Sequence, residues 1–295
     1  MAKQRRSLSG KVVAITGGAR GIGRATAEAL VGKGCRVAIG DLDLELAEQT
    51  AASLGGGTVA LSLDVTDRAS FGAFLDDAER QLGAIDVVVN NAGIMPVTPL
   101  LAESEDSVRR QVEINLCGVI TGTQLAIERM TPRHDGHIVN IASQAGKAGV
   151  PGIATYSATK HAVVGLSEAV RGELRGSGIE VACVMPTIVK TELTSGVAQR
   201  WVKPVEAADV ADAIVDALEV PRFDVFVPRV NGVLFKILSL LPRDAREGLG
   251  RLMRVDKLMI EVDQGARRAY EERVAGGETA LGSEAEAAGA QRDAA

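Results

Sequence analysis

The residues best suited to chemistry are Tyr156 and Lys160, in the run Tyr156-Ser157-Ala158-Thr159-Lys160. On a helix, positions i and i+4 share one face, so the ammonium can sit beside the phenol. A free phenol titrates near pH 10, and each unit by which it must fall to act as a base near neutrality takes about 1.4 kcal/mol of phenolate stabilisation. A neighbouring cation acts in that direction. The pair could therefore move a proton to or from an alcohol or carbonyl oxygen. Alone it is weak, because a tyrosine four residues before a lysine is usually a half-buried ring beside a solvated charge.

A second feature is the turn Thr16-Gly17-Gly18-Ala19-Arg20-Gly21-Ile22-Gly23, spaced G-x-x-x-G-x-G between a strand-like run and an Ala-rich helical one. Glycines let the backbone approach a pyrophosphate closely, and a helix N-terminus offers free N–H groups and a favourable dipole. Asp41 follows Gly23 by 18 residues at the end of the second strand-like run. That is close to the separation of about 20 at which a carboxylate meets an adenosine ribose. A carboxylate accepts from a free 2′-hydroxyl and repels a 2′-phosphate, so Asp41 favours NAD over NADP. Arg20 points the other way, since a guanidinium could pair with that phosphate. The plainer role for Asp41 is a helix N-cap, which Asp43 can supply instead.

These groups need elements to position them. From Lys11 onward, short β-branched runs alternate with helical stretches: strands near 11–16, 35–40, 58–63, 85–90, 137–142, 179–185 and 223–228, with helices near 23–33, 44–54, 67–82, 104–131 and 153–176. Continuous apolar strands separated by helices predict a doubly wound parallel α/β sheet, Rossmann-like, covered on both faces. The reading is one dinucleotide-binding and catalytic domain over 11–228, after a flexible leader at 1–10. An amphipathic helical extension follows at 229–275, and a Gly/Ala/Glu-rich tail expected to be disordered at 276–295. The leader is not read as a signal peptide.

Bulk properties exclude other classes. A formal charge of −5 without a basic face argues against nucleic acid. Cys35, Cys117 and Cys183 have no metal or disulfide spacing, which points to a reducing, cytoplasmic setting. His134, His137 and His161 lack neighbours for a metal site, so no metal is expected. The apolar run after Pro228 contains Lys236 and falls short of the roughly 20 residues that span a bilayer. The extension could cover an apolar substrate pocket, contact a partner subunit or lie on a membrane surface; packing on its own domain or a partner fits its mixed Arg, Asp and Glu best.

Taken together, the motifs resemble the short-chain dehydrogenase/reductase family along most of 11–228. The family's TGxxxGIG turn stands at Thr16 to Gly23, its Asp-Val adenine contact at Asp64-Val65, and its NNAG element at Asn90-Asn91-Ala92-Gly93. Its active-site set stands at Asn115, Ser143, Tyr156 and Lys160, with Ser143 thirteen residues before Tyr156. The resemblance implies hydride transfer between a nicotinamide and an alcohol or carbonyl carbon. In that scheme Tyr156 is the acid/base, Ser143 bonds the substrate oxygen as charge develops on it, and Asn115 holds a water joining Lys160 to solvent. It implies cofactor contacts at Gly17, Arg20, Gly21, Ile22, Gly23, Asp41, Asp64, Val65, Asn91, Ala92, Gly93, Tyr156, Lys160, Pro186, Val189 and Thr191. A homo-oligomer, dimer or tetramer, is expected by the same token.

The chain departs from the family after the sixth strand, where Pro186 is followed by Thr187 in place of the usual glycine. Residues 191–204, with Gly196, suit a substrate-covering lid. The extension suggests an apolar substrate. The alternatives are an NADPH-dependent reductase of carrier-linked 3-oxoacyl groups and a catalytically silent nucleotide-binding regulator.

Overall fold

The protein is described here from a computed structural model covering residues 5–197, 204–252, 259 and 262–276. All seven expected strands form: β1 (Val12–Thr16), β2 (Arg36–Asp41), β3 (Val59–Ser62), β4 (Val87–Asn90), β5 (Gly136–Ile141), β6 (Ile179–Pro186) and β7 (Asp224–Val227). They pair in parallel in the order β3-β2-β1-β4-β5-β6-β7. The order reverses between β1 and β4, and ligands of doubly wound sheets bind in the crevice at the strand carboxyl ends there.

Every residue of β1, β4 and β5 is buried, as befits strands covered on both faces. Alternation along β1 splits the core: Val13 and Ile15 pack with α1 (Gly21–Gly32), α2 (Leu44–Leu54) and α7 (Ala207–Glu219). Val12 and Ala14 pack on the other side with Phe71, Phe74 and Leu75 of α3 (Arg68–Leu82) and Leu125 of α5 (Gly118–Met130). Asp43 caps α2 through the Leu46 N–H and Asp67 caps α3 through that of Ala69, each worth about 1 kcal/mol.

Three expectations meet a different structure. The single helix expected over 104–131 is α4 (Glu105–Val112), a π-helical turn at Glu113–Cys117, and α5. The leader is held from Arg5 onward: Arg5 pairs with Asp216 and Glu219, the Arg6 N–H donates to the Glu219 carbonyl at 2.8 Å, and Leu8 is buried. The expected disordered tail begins at Gly276, which ends a helix; 277–295 lie outside the described residues.

After the 20-residue α6 (Ala154–Glu173) and the sheet, the extension forms α8 (Val230–Ser239), α9 (Arg243–Leu252) and α10 (Gln264–Gly276). α8 stacks Phe235 on Phe226 of β7 at 5.8 Å and leaves Val230, Val233, Ile237 and Leu240 exposed. Among the described residues, no helix is long and apolar enough to cross a membrane.

Candidate active site

The crevice at the strand ends is a cavity of about 1420 Å³, and its floor is set by the glycine turn between β1 and α1. Gly17 and Gly21 adopt positive φ, 63° and 54°, a region that costs any side chain energy. A Cβ on Gly23 would come within 2.1 Å of the Gly17 carbonyl; Gly23 therefore shapes the turn from behind and does not line the cavity. Among the described residues no side chain caps α1, so its first N–H groups are left for an anion. Asn91 lines the cavity while its amide holds the turn, donating to the carbonyls of Thr16 and Gly17 at 2.9 Å each.

Asp41 ends β2 with its carboxylate accepting from the Ala19 N–H at 3.0 Å and the Asp43 N–H at 3.2 Å. Burial raises its pKa, and those two N–H groups and Arg20 oppose the rise. Arg20 is engaged by carboxylates, 2.7 Å from Asp43 and 3.3 Å from Glu192. Ile22, Asp64, Val65, Ala92, Gly93, Pro186, Val189 and Thr191 complete this half of the cavity wall. Thr187 donates its N–H to the Val227 carbonyl at 2.9 Å, a strand-like bond compatible with a side chain where glycine was expected.

Deeper in, α6 brings Tyr156 and Lys160 to one face, with the Lys160 ammonium 5.6 Å from the Tyr156 ring centroid. Lys160 also donates to the Ile141 carbonyl at the end of β5, 2.8 Å away. Both side chains are buried on this wall. Burial pushes the Tyr156 phenol up to about 12, with a hydrogen bond to Ser143 pulling the other way. Burial likewise brings Lys160 down to about 8. Ser143 follows β5 and accepts the Ala145 N–H at 3.1 Å, which leaves its own proton for the cavity side.

Asn115 does not reach the cavity. The π-helical turn widens the backbone and sends its side chain inward, where it is fully buried. There it binds both backbone groups of Ile94, at 2.8 Å each. A Cβ on Gly93 would lie 3.1 Å from Asn115 Oδ1 and 3.6 Å from Lys160 Nζ, so Asn115 braces the loop that runs past Lys160.

Sequence reasoning missed the contribution of α10. Its Tyr270 and Arg273, with Met259 before it, join Met95, Ile188 and Leu193 on the cavity wall. Arg267, wholly buried, donates to the carbonyls of Met95, Leu193 and Ser195 at 2.8, 3.1 and 3.0 Å. The expected lid at 191–204 is thus tied down through Ser195. A Cβ on Gly196 would meet the Asp263 carbonyl at 2.4 Å, so this glycine serves close packing. Residues 198–203 of that segment lie outside the described residues.

Comparison with known proteins accords with this geometry. The family model for short chain dehydrogenases matches residues 11–201. The chain belongs to the short-chain dehydrogenase/reductase family. It is 41% identical over 191 residues to a sorbitol dehydrogenase of Cereibacter sphaeroides, covering 64% of this chain and 75% of that one. It is 28% identical to 17-beta-hydroxysteroid dehydrogenase 13 of Homo sapiens over 86% of each. A match that long necessarily runs past β7 into the C-terminal helices of this short-chain dehydrogenase/reductase. A crystal structure of a short-chain dehydrogenase/reductase from Burkholderia phymatum in complex with NAD superposes with a TM-score of 0.73 at 27% identity, over 78% of this chain and 93% of that one.

Proposed function

We propose that this short-chain dehydrogenase/reductase oxidises apolar secondary alcohols, and reduces the matching ketones, with NAD(H). The observation that carries the reading is one group, half-buried Ser143 with buried Tyr156 and Lys160, on the wall of a cavity also lined by Met95, Val150, Ile188, Leu193, Leu234 and Met259. A mostly apolar wall with a few convergent polar groups is the usual form of a small-molecule site. Its relatives named for sorbitol and a hydroxysteroid support a CH–OH substrate, and the second of these supports an apolar one.

The glycine turn and Asp41 fit a dinucleotide: a Cβ at Gly17 would lie 3.0 Å from Ala92 and one at Gly23 would collide with the turn, while the uncapped α1 faces the crevice. Gly17, Gly21, Ile22, Asp64, Val65, Asn91 to Gly93 and Val189 would hold it, with Asp41 on the ribose. When bound, the nicotinamide supplies the hydride chemistry.

The chain's own residues handle the proton. Tyr156 takes it from the alcohol oxygen, or returns it to the carbonyl oxygen. With the phenol at about 12, bringing it near neutrality takes about 7 kcal/mol of phenolate stabilisation. The Lys160 cation 5.6 Å from the ring supplies part of this, and the positive charge of an oxidised nicotinamide would add to it when bound. Ser143 donates to the same substrate oxygen, where donation strengthens as charge develops. Asn115 positions the Gly93–Ile94 loop beside Lys160 rather than touching substrate.

Tyr156→Phe tests the reading: turnover of secondary alcohols should fall at least about 10²-fold, the lower end of acid/base contributions, with NADH affinity within about twofold. Retained turnover would overturn the role of Tyr156.

A further inference from the structure

The cavity wall holds a second phenol, Tyr270, which with Tyr156 makes up all the tyrosine in the chain. It lies on α10, 7% exposed, and stands on the cavity wall. Its oxygen accepts the Met95 N–H at 2.8 Å. A phenol that accepts still has a proton to give, and among the described residues no hydrogen-bond acceptor takes it. Burial holds the phenol well above its usual pKa, which keeps it a neutral donor.

Its placement is fixed from several sides. Two guanidinium groups stand against the ring, Arg267 at 5.1 Å and Arg273 at 5.9 Å. Arg267 donates to the Met95 carbonyl at 2.8 Å, so α10 holds both backbone groups of Met95. The same guanidinium bonds Glu271 at 2.9 Å, which in turn accepts the Val97 N–H at 3.4 Å. Met95 packs in one apolar cluster with Tyr156. The two phenols therefore face one cavity across a shared neighbour, one beside Lys160 and the other beside backbone amides. Both guanidinium groups beside Tyr270 are paired, Arg267 with Glu271 and Arg273 with Glu192, so neither competes with the neutral phenol donor.

We propose that Tyr270 is a second substrate anchor, donating a hydrogen bond to an uncharged oxygen other than the one Tyr156 and Ser143 handle, so that the preferred substrates are apolar alcohols carrying a second oxygen. The proposal rests on the dehydrogenase reading of Tyr156. It makes Tyr270 a specificity residue and not a second acid/base.

The test compares kcat/KM for a secondary decanol with a set of its keto-substituted analogues, the carbonyl placed at successive positions along the chain. At least one analogue should exceed the plain decanol by about tenfold, or 1.4 kcal/mol, mainly through a lower KM. Tyr270→Phe should abolish that advantage by raising KM for the analogue, with the apparent pKa of the pH–rate profile unmoved. The wild-type comparison needs no variant and decides first. If no analogue is preferred, or if the preference survives in Tyr270→Phe, the anchor is overturned. If NADH binds but no secondary alcohol or ketone reacts, the dehydrogenase reading itself has failed and takes the anchor with it.

Discussion

The Arg20 guanidinium is bound to the Asp43 carboxylate at 2.7 Å, and this pairing bears directly on which nucleotide the cavity accepts. Glu192 stands on its other side, itself paired with Arg273. The cation that could bind a 2′-phosphate is thus already matched by carboxylates, and on the proposed reading Asp41 would add a third acid beside the ribose. NADH should bind at least about tenfold more tightly than NADPH, a difference of about 1.4 kcal/mol.

Asp43→Ser tests that pairing without removing the α2 cap, because serine caps as well as aspartate does. Freed from Asp43, Arg20 should improve NADPH binding by about threefold to tenfold, with NADH changed by less than twofold. Asp41→Ser should act in the same direction for NADPH and also weaken NADH, through the lost ribose contact. Calorimetric dissociation constants for both nucleotides decide it; unchanged NADPH affinity in Asp43→Ser would mean that Arg20 does not face the 2′ position.

With Tyr156 as the proposed acid/base, the opposite shifts at Tyr156 and Lys160 predict a pH dependence. Burial raises the phenol to about 12 and lowers the ammonium to about 8. Alcohol oxidation needs the phenolate, so its kcat/KM should rise with pH, and ketone reduction, which needs the phenol, should fall. Lys160→Met should move the rising limb of oxidation by more than one unit to the alkaline side. It should also lower the rate at pH 7 by about 10² or more. A limb that stays in place would show that Lys160 does not act on the phenol.

Much of this was readable in the sequence because its signals are local. The seven strands are continuous apolar runs, Asp43 and Asp67 are ordinary caps, and the glycine turn is dictated by backbone geometry within eight residues. The π-helical turn at Glu113–Cys117 was not, since nothing in a helical pattern marks one widened turn; the pattern of 104–131 reads as one helix. Nor was the work of α10. Arg267 and Tyr270 meet Met95 across more than 170 positions, and in sequence they belong to a polar amphipathic segment. A buried arginine has the same letter as a solvated one. The one available hint was the scarcity of tyrosine, which leaves Tyr270 as the sole companion of Tyr156.

His137 gives a prediction about stability that is independent of catalysis. It lies in β5, buried, with Nε2 unpartnered among the described residues, and burial lowers its pKa to about 4. In the unfolded chain it titrates near 6.5, so between those values the unfolded state binds a proton that the folded state refuses. Stability then rises with pH across this window and is lost as pH falls through it, by about 3 kcal/mol in full and about 2 kcal/mol by pH 5. His137→Val suits the strand, where the neighbours in register are Val87 and Glu180, and removes the group. Urea unfolding at pH 7.5 and 5 should show the wild type losing about 2 kcal/mol more than the variant over that interval. Equal losses would place the acid sensitivity elsewhere.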